Sequence, residues 1–519
     1  MTQSETHPEN RQPTTVGASS PPQLPELLID AANLPAGARK LADLFAADGR
    51  LFLRGRNAVK VVEVNGKPVV QILNHIAVVD DAHRICRPVI KKCQRGEIVV
   101  EPVTLPLAVA KLFAEIPSEW GFRPLKGVSF GPILAANGEI RTEAGYDKPT
   151  GLWCVGSTAI TVSESPSAAD AKDALARLRE PFATFPFADR QTEPHNKDRV
   201  DLARPPGRDE STYLVAVLTA LCRPSVPLSP AILIRAPALS GAGTGKGLLA
   251  RAAAVIANGF APDAVTRGAD GAELDKRLAA SLVKAEPFFL LDNVNGAILR
   301  SNLLEQVITE NPCSTRILGR TQMVPLETRA VVCVTGNGID VSEDLVRRFI
   351  VVALDAREES PELREFDGVF LDSIRDSRNE LASAALTIWR WGRQNAISRG
   401  LPLGSFELWA RWARDPLLAL GCADPVARIA EIKRDDPERL QAVEFLTEWH
   451  VRYGQQPTPL EALRTDHRCL AGSHGKSRQA LALYMKRFSE TRIGGFHVIR
   501  ETHGKWGASK YIVTRTEEA

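Results

Sequence analysis

One stretch of the sequence decides the fold: it reads ILIRAPALSGAGTGKGLL and covers residues 232–249. An apolar strand leads into a glycine-rich turn, a lysine follows, and an apolar helix begins. Glycines let the N–H groups of such a turn point at one anion, and the start of the helix adds its partial positive charge. This order predicts a phosphate-binding loop, with nucleotide contacts from Gly241, Gly243, Thr244, Gly245, Lys246, Gly247 and Leu248.

Two positions of this loop depart from the usual pattern. Ser240 stands where the first glycine is normally found, and Gly247 stands where a serine or threonine hydroxyl normally holds Mg2+. Lys246 is still expected to reach the β- and γ-phosphates of ATP. The sequence does not indicate which group replaces the missing hydroxyl.

Two apolar strands further along the chain are predicted to end at the same edge of the sheet as the loop. Residues 287–292 end in the carboxylate of Asp292, and residues 330–335 are followed by Gly336 and Asn337. Ligands bind at the carboxyl ends of the strands in parallel α/β sheets. Asp292 is therefore predicted to hold the Mg2+ of bound ATP, and Asn337 to position the attacking water.

The residue after Asp292 is Asn293, where many ATPases of the AAA+ type carry a glutamate that acts as the base. An amide can orient a water molecule, but it cannot accept its proton. Glu273, Glu305 and Glu310 are the alternatives for this base, while Glu273 can instead form a helix-face pair with Lys276 or Arg277. If no carboxylate reaches the water, hydrolysis is slow and the protein acts as a nucleotide switch.

An arginine pair, Arg347 and Arg348, ends a predicted helix just before the apolar strand 349–354. Such arginines can reach the γ-phosphate of a neighbouring subunit and stabilise the transition state, which requires a ring. The alternative is a solvated surface pair. Together, the order of these segments predicts an α/β protein with an AAA+ type P-loop ATPase core that binds ATP and Mg2+.

Five segments of the chain resemble the ATPase part of phage- and mobile-element-encoded primase-helicases, which are similar to superfamily 3 and AAA+ replicative helicases. The segments are 273–278, 289–295, 316–320, 334–338 and 342–349. The resemblance implies a homo-oligomeric ring, expected to be a hexamer, that hydrolyses ATP to move along single-stranded or origin DNA. It also implies a separate primase or polymerase as partner, and a hairpin at 316–325 whose Arg320 contacts DNA phosphates.

The last segment, residues 441–519, has the outline of a winged helix. Helical patterns at 443–453 and 478–488 precede two strand patterns, 495–500 and 510–514, that flank a basic loop. The resembled family tends to end in a similar module. DNA contacts are predicted for Lys476, Arg478, Lys486, Arg487 and Lys505, and a protein-docking surface is the alternative.

Composition limits the class of protein. The chain has 519 residues, a net charge of only +3 and eight cysteines without a C-x-x-C pair. A DNA site must therefore be local, and the cysteines favour a reducing cytoplasm. No apolar run approaches the length of a membrane span, and the polar start of the chain is not a secretion signal, so a cytoplasmic location without a membrane partner is expected.

The predicted organisation has six parts. These are a disordered tail (1–22), an N-terminal α+β accessory domain (23–165), a helix and linker (166–210), the ATPase domain (211–356), a helical lid (357–440) and the winged-helix domain (441–519). The accessory domain is predicted to contain a hairpin around Asn65 and Gly66. In the third part, residues 168–178 are predicted to be helical, and the charged, proline-bearing stretch 189–209 is the candidate linker. The favoured function is an ATP-dependent DNA helicase or replication initiator of a phage, plasmid or integrative element. The alternative is a nucleotide-gated DNA-binding assembly factor or loader that does not unwind DNA.

Overall fold

The computed structural model describes residues 24–157, 159–266, 271–294, 301–316, 323–339, 347–363, 369–435, 437–501 and 509–516. The predicted tail (1–22), Arg320 and Lys505 lie outside these residues. By its internal contacts the chain divides into two units, one up to Leu125 and one from Lys126 onwards. The domain boundary near residue 165 stays a prediction.

Between residues 24 and 125, the first unit has three α-helices and two sheets. Its helices are α1 (Leu34–Asp48), α2 (His75–Ile85) and α3 (Leu107–Glu115). Its strands are β1 (Glu26–Leu28), β2 (Leu51–Arg54), β3 (Asn57–Val64), β4 (Lys67–Ile72), β5 (Arg87–Gln94), β6 (Glu97–Pro102) and β7 (Arg123–Pro124), in the orders β4-β3-β2-β7 and β1-β5-β6. The predicted hairpin around Asn65 and Gly66 is confirmed as β3 and β4, and both turn residues have positive φ angles, as a type I′ turn requires.

The second unit is built on a parallel sheet of five strands, which confirms the predicted α/β class. The strands are β15 (Ala231–Ala236), β16 (Ala264–Thr266), β17 (Phe288–Asp292), β20 (Val331–Asn337) and β21 (Phe349–Ala353), in the order β16-β17-β20-β15-β21. All neighbouring pairs are parallel, so their carboxyl ends meet at one edge. Helices α5 (Arg208–Cys222), α6 (Lys246–Asn258), α7 (Gly271–Val283) and α8 (Asn302–Thr309) connect or flank these strands.

Shorter elements surround this sheet. Before it lie α4 (Ala168–Arg179) and the strands β8 (Gly127–Ser129), β9 (Ile133–Leu134), β10 (Ile140–Arg141), β11 (Gly145–Asp147), β12 (Leu152–Cys154), β13 (Thr192–Glu193) and β14 (Asn196–Val200). A hairpin of β18 (Cys313–Arg316) and β19 (Met323–Leu326) precedes β20. After the sheet come α9 (Phe370–Asp376), α10 (Arg378–Gln394), α11 (Glu407–Trp409), a π-helical segment (Ala410–Arg414), α12 (Asp415–Ala419) and α13 (Ala427–Asp435).

One hydrophobic core joins the parallel sheet, its helices and most of the surrounding elements, and its buried side chains extend along the sequence from Leu134 to Ile429. The predicted lid helices belong to this core: Trp409 is fully buried and donates its indole N–H to Thr219 Oγ1 on α5, at 2.8 Å. The predicted helix and linker part (166–210) is folded as well, and its Phe182 is 1% exposed within the same core. Leu152 and Cys154 of β12 form a separate small cluster with Ile133.

The final segment has a small core of its own. Helix α14 (Pro437–Tyr453) is followed by β22 (Thr458–Pro459), α15 (Thr465–Leu470), α16 (Arg478–Phe488), β23 (Arg492–Ile493), β24 (Phe496–Glu501) and β25 (Lys510–Arg515). The strands form one antiparallel sheet in the order β22-β25-β24-β23. Both predicted helices and both predicted strands are thereby confirmed. Within the described part of the chain, no helix combines the length and the apolar character needed to cross a membrane.

Candidate functional site

The glycine-rich loop joins β15 to α6 at the carboxyl edge of the parallel sheet. Gly243 has φ +72°, a conformation that side chains other than glycine rarely adopt. A Cβ atom on Gly241 would collide with the carbonyl oxygen of Pro237 and the amide oxygen of Asn337. The loop therefore needs glycine at these positions, because other atoms of the chain lie directly against its backbone.

Lys246 is the first residue of α6, and its side chain folds back over the loop. Its ammonium group donates to the carbonyl oxygen of Gly241 and, at 3.2 Å, to Thr244 Oγ1. Burial lowers the pKa of Lys246, and the charge of Asp292 acts in the opposite direction. The ammonium group of Lys246 is thus held against the glycine-rich loop at the carboxyl edge of the sheet.

Asp292 ends β17 and is held on both carboxylate oxygens. The Thr335 hydroxyl donates to Oδ1, and Arg251 Nη2 donates to Oδ2 at 3.0 Å. Thr335 Oγ1 also accepts the backbone N–H of Asn293 at 3.2 Å. Asn293 has φ +59°, where asparagine is among the residues that pay the smallest penalty, so the sharp turn after β17 suits an asparagine better than a glutamate.

Asn337 ends β20, the strand that lies between β17 and β15. Its position pairs with Ala236 at the end of β15, and the N–H of Gly338 donates to the Ala236 carbonyl at 2.9 Å. Thr335 and Asn337 are two residues apart on one strand, so they share a face of the sheet. The structure therefore brings together Lys246, Asp292, Asn293 and Asn337, all four of which the sequence had singled out.

Two of the other predicted catalytic residues, Glu273 and Arg348, lie in ion pairs. Glu273 contacts Arg277 at 3.2 Å and Lys276 at 3.7 Å on the surface of α7, which is the helix-face pair that the sequence left open. Glu305 on α8 pairs with Arg348 at 2.9 Å. The neighbouring Arg347 is exposed. Leu248, which was predicted to contact the nucleotide, is exposed as well. Glu310 is the C-cap residue of α8.

Sequence reasoning missed three side chains of the site. Arg251 donates from Nη1 to the carbonyl oxygen of Gly247 at 3.0 Å, in addition to its bond with Asp292. Thr335 joins Asp292 to Asn293. Phe185 lies in the predicted helix and linker part, and an atom of its ring would be 2.7 Å from a Cβ atom on Gly245. Only Arg251 carried a signal, because it lies four residues after Gly247 and so on the same face of the helix.

The side chains around Asp292 do not fit Mg2+ as they are arranged. Mg2+ requires six oxygen ligands in a near-octahedral shell. Gly247 provides no side-chain oxygen, and an arginine, which offers only donors, is bound to Asp292 Oδ2. Within the described ranges, no three His, Cys, Asp or Glu side chains are grouped to hold a metal.

A second surface of interest lies between α16 and the strands β24 and β25. It encloses a groove of about 460 Å3 whose lining includes Arg478, Leu483, Lys486 and Arg500. Arg478 pairs with Glu461 on the groove wall, while Arg500 donates to Ser509 Oγ at 2.9 Å. Lys476 and Arg487 are exposed nearby. The groove therefore combines several positive charges with an apolar floor.

Fold and site together define an α/β protein with a glycine-rich loop and a lysine at the carboxyl edge of a parallel sheet. No family model and no curated protein matches the chain. Among solved structures it is similar to the C-terminal region of NrS-1, at 12% identity over 92% of this chain and 99% of that one, with a TM-score of 0.38. It is also similar to SCCmec type IV Cch, titled an active helicase, at 10% identity over 90% of this chain and 97% of that one, with a TM-score of 0.31.

A third solved structure, JCV helicase, is similar at 14% identity over 55% of this chain and 73% of that one, with a TM-score of 0.20. Similarities of this size leave the function to be inferred from the residues of the site.

Proposed function

We propose that this protein is an ATP-dependent DNA motor of the helicase type that acts as a replication initiator. The observation that carries the proposal is the convergence of the Lys246 loop, Asp292 and Asn337 at one sheet edge. The loop N–H groups and Lys246 bind the β- and γ-phosphates of ATP. The amides of Asn337 and Asn293 orient the attacking water.

The motor acts as a homo-oligomeric ring, with a hexamer as the expected form. Arg347 is the exposed member of the arginine pair, so it is the residue that reaches the γ-phosphate of a neighbouring subunit. Arg348 is held by Glu305 within its own subunit and fixes the position of Arg347. From the resemblance to phage- and mobile-element proteins, we infer that the motor acts in the replication of such an element, together with a separate primase or polymerase.

The final segment serves as a winged-helix module that binds DNA. Its order of helix, strand, two helices and three strands supports this proposal. Helix α16 presents Arg478 and Lys486, and β24 presents Arg500, to the same groove. Phosphate contacts from these side chains position a DNA strand without reading its sequence.

A second candidate function is a nucleotide-gated assembly factor that binds DNA but turns over slowly. Asn293 favours it, because an amide cannot take the proton of the attacking water. The ion pair between Glu273 and Arg277 favours it too, because that pair holds Glu273 on the surface of α7. The two candidates share the nucleotide site and differ in whether DNA stimulates ATP hydrolysis.

The first experiment measures ATP hydrolysis by the full-length protein with and without single-stranded DNA, with Lys246→Ala as the blank. The motor is expected to show strong stimulation by DNA, and the blank to show none. ATP binding with negligible hydrolysis under both conditions would favour the nucleotide-gated assembly factor. Hydrolysis that survives in Lys246→Ala would refute both candidates.

The DNA surface is tested by the salt dependence of DNA binding. Replacing Lys486 and Arg500 by alanine is expected to lower the slope of log K against log salt by about 0.7 per lost phosphate contact on single strands. A matched control replaces Arg84, an exposed arginine on α2 in the other unit, and leaves the slope unchanged. An unchanged slope in the double variant would assign this groove to another partner.

A further inference from the structure

Arg251 bridges the phosphate-binding helix and the strand that ends in Asp292. It lies one helical turn after Gly247 on α6, and its two Nη atoms divide their bonds between the two elements. Nη1 donates to the Gly247 carbonyl oxygen at 3.0 Å, and Nη2 donates to Asp292 Oδ2 at 3.0 Å. A positive charge is thereby fixed beside the loop that binds phosphate.

The guanidinium occupies the space that a side chain at position 247 would need. A Cβ atom built on Gly247 would lie 2.6 Å from Arg251 Nη1, and 3.6 and 3.7 Å from the two carboxylate oxygens of Asp292. Loops of the usual pattern place a serine or threonine hydroxyl here, where it holds Mg2+. In this chain Gly247 has no hydroxyl, and the guanidinium of Arg251 lies where a side chain at position 247 would be.

Arg251 and a divalent cation compete for one ligand. Thr335 takes Oδ1 of Asp292 and Arg251 takes Oδ2, so both oxygens already have a donor. A metal ion bound at Oδ2 would share that atom with the guanidinium, and the two positive charges would repel each other. Arginine is well suited to replace the ion, because it is permanently charged and its planar group binds phosphate oxygens directly.

We propose that Arg251 takes the place of Mg2+ in nucleotide binding, so that the loop binds ATP without a divalent cation. The inference rests on the proposed function, because it assumes that the loop around Lys246 binds ATP. It goes further by assigning a role to a residue outside the usual motif. Arg251 contacts the phosphates of bound ATP, while Asp292 holds the guanidinium in place.

The test is isothermal titration calorimetry of ATP into the full-length protein, in excess magnesium chloride and in excess EDTA. For the unaltered protein, the two dissociation constants for ATP are expected to agree within about threefold, because the Arg251 guanidinium supplies the positive charge that Mg2+ would otherwise supply. In Arg251→Ala, binding in EDTA is expected to weaken about tenfold or more, the size of one lost charge-assisted contact. Binding in magnesium is expected to fall less, since Asp292 is then open to the ion.

Two further variants make the test specific. Gly247→Ser places a Cβ atom and a hydroxyl against Nη1, so the guanidinium must move, and ATP binding is expected to become dependent on Mg2+. Arg141→Ala is the matched control, because Arg141 is also a partly exposed arginine held by carboxylates, Glu139 and Asp147, but lies away from the loop. It should retain the constants of the unaltered protein.

The outcomes separate this inference from the proposed function. If the unaltered protein binds ATP in magnesium but not in EDTA, the inference is overturned and the proposed function stands. The same holds if Arg251→Ala shows the same ratio of the two constants as the unaltered protein. If ATP binds under neither condition, the proposed function fails, and the role of Arg251 fails with it.

Discussion

Replacing Thr335 by valine tests whether its hydroxyl organises the site, since valine keeps the shape and removes only the oxygen. The hydroxyl is buried, donates to Asp292 and accepts the N–H of Asn293. Losing the bond to a carboxylate costs about 1.5–3 kcal/mol, and removing the acceptor of the Asn293 N–H costs about 1 kcal/mol more. The free energy of unfolding is therefore expected to fall by about 2.5–4 kcal/mol.

Thr328→Val is the matched control, because the chemistry is the same and the expected result is opposite. Thr328 is 0% exposed, and its hydroxyl oxygen has no hydrogen-bond partner among the residues that the structure describes. Removing a buried polar atom without a partner is neutral or stabilises the fold by about 1 kcal/mol. Both substitutions lie in the same unit, so a single unfolding transition reports on both.

The assay is urea unfolding followed by tryptophan fluorescence, for which the buried Trp389 and Trp409 are the reporters. The midpoint should fall for Thr335→Val, return towards the original value for Thr335→Ser, and stay or rise for Thr328→Val. ATP hydrolysis should follow the same order, because Asp292 loses its orientation only in the first variant. Equal midpoints for the two valine variants would refute the reasoning.

Two more predictions concern buried charge. Burial lowers the pKa of His467 below its usual 6.5, and the imidazole ring stacks on the Phe445 ring with centroids 4.5 Å apart. As the pH falls below about 6.5, the unfolded chain takes up a proton at this histidine before the folded chain does. The final segment should therefore lose stability as the pH falls. His467→Gln should weaken this pH dependence of the thermal midpoint, and an unchanged slope would assign it to other groups. Glu210→Gln should cost about 3–5 kcal/mol, because it leaves the buried charge of Arg179 without its carboxylate partner at 2.6 Å. The double replacement Arg179→Met with Glu210→Leu should recover part of that loss in urea unfolding, whereas a larger loss would contradict the charge argument.

The parts of the fold that depend on local patterns were predictable. The strand ending in Asp292 was expected at 287–292 and is found at Phe288–Asp292, because an uninterrupted apolar run is typical of a strand buried on both faces. Helix α4 was expected at 168–178 and is found at Ala168–Arg179. The loop at 241–247 was recognisable because only glycines permit its close approaches.

The parts that depend on distant contacts were not predictable. The contact between Arg251 and Asp292 joins residues that are 41 apart in sequence, and it forms because α6 packs against β17 and β20 of the sheet. The segment 189–209 was read as a linker because it is charged and contains prolines. Its charge instead serves the fold, since Asp189 accepts the N–H groups of Arg208 and Asp209 at the start of α5.

The single core that extends from Leu134 to Ile429 has a consequence for how the chain folds as it is made. Thr161 bonds to Ser383, 222 residues later, and the carbonyl of Gly138 bonds to Arg390, 252 residues later. At a synthesis rate of about 5–20 residues per second, these early segments wait roughly 10–50 s for their partners. During that time their apolar faces are exposed to other chains. Slower translation should therefore lower the yield of folded protein, and a chaperone that binds these faces should raise it.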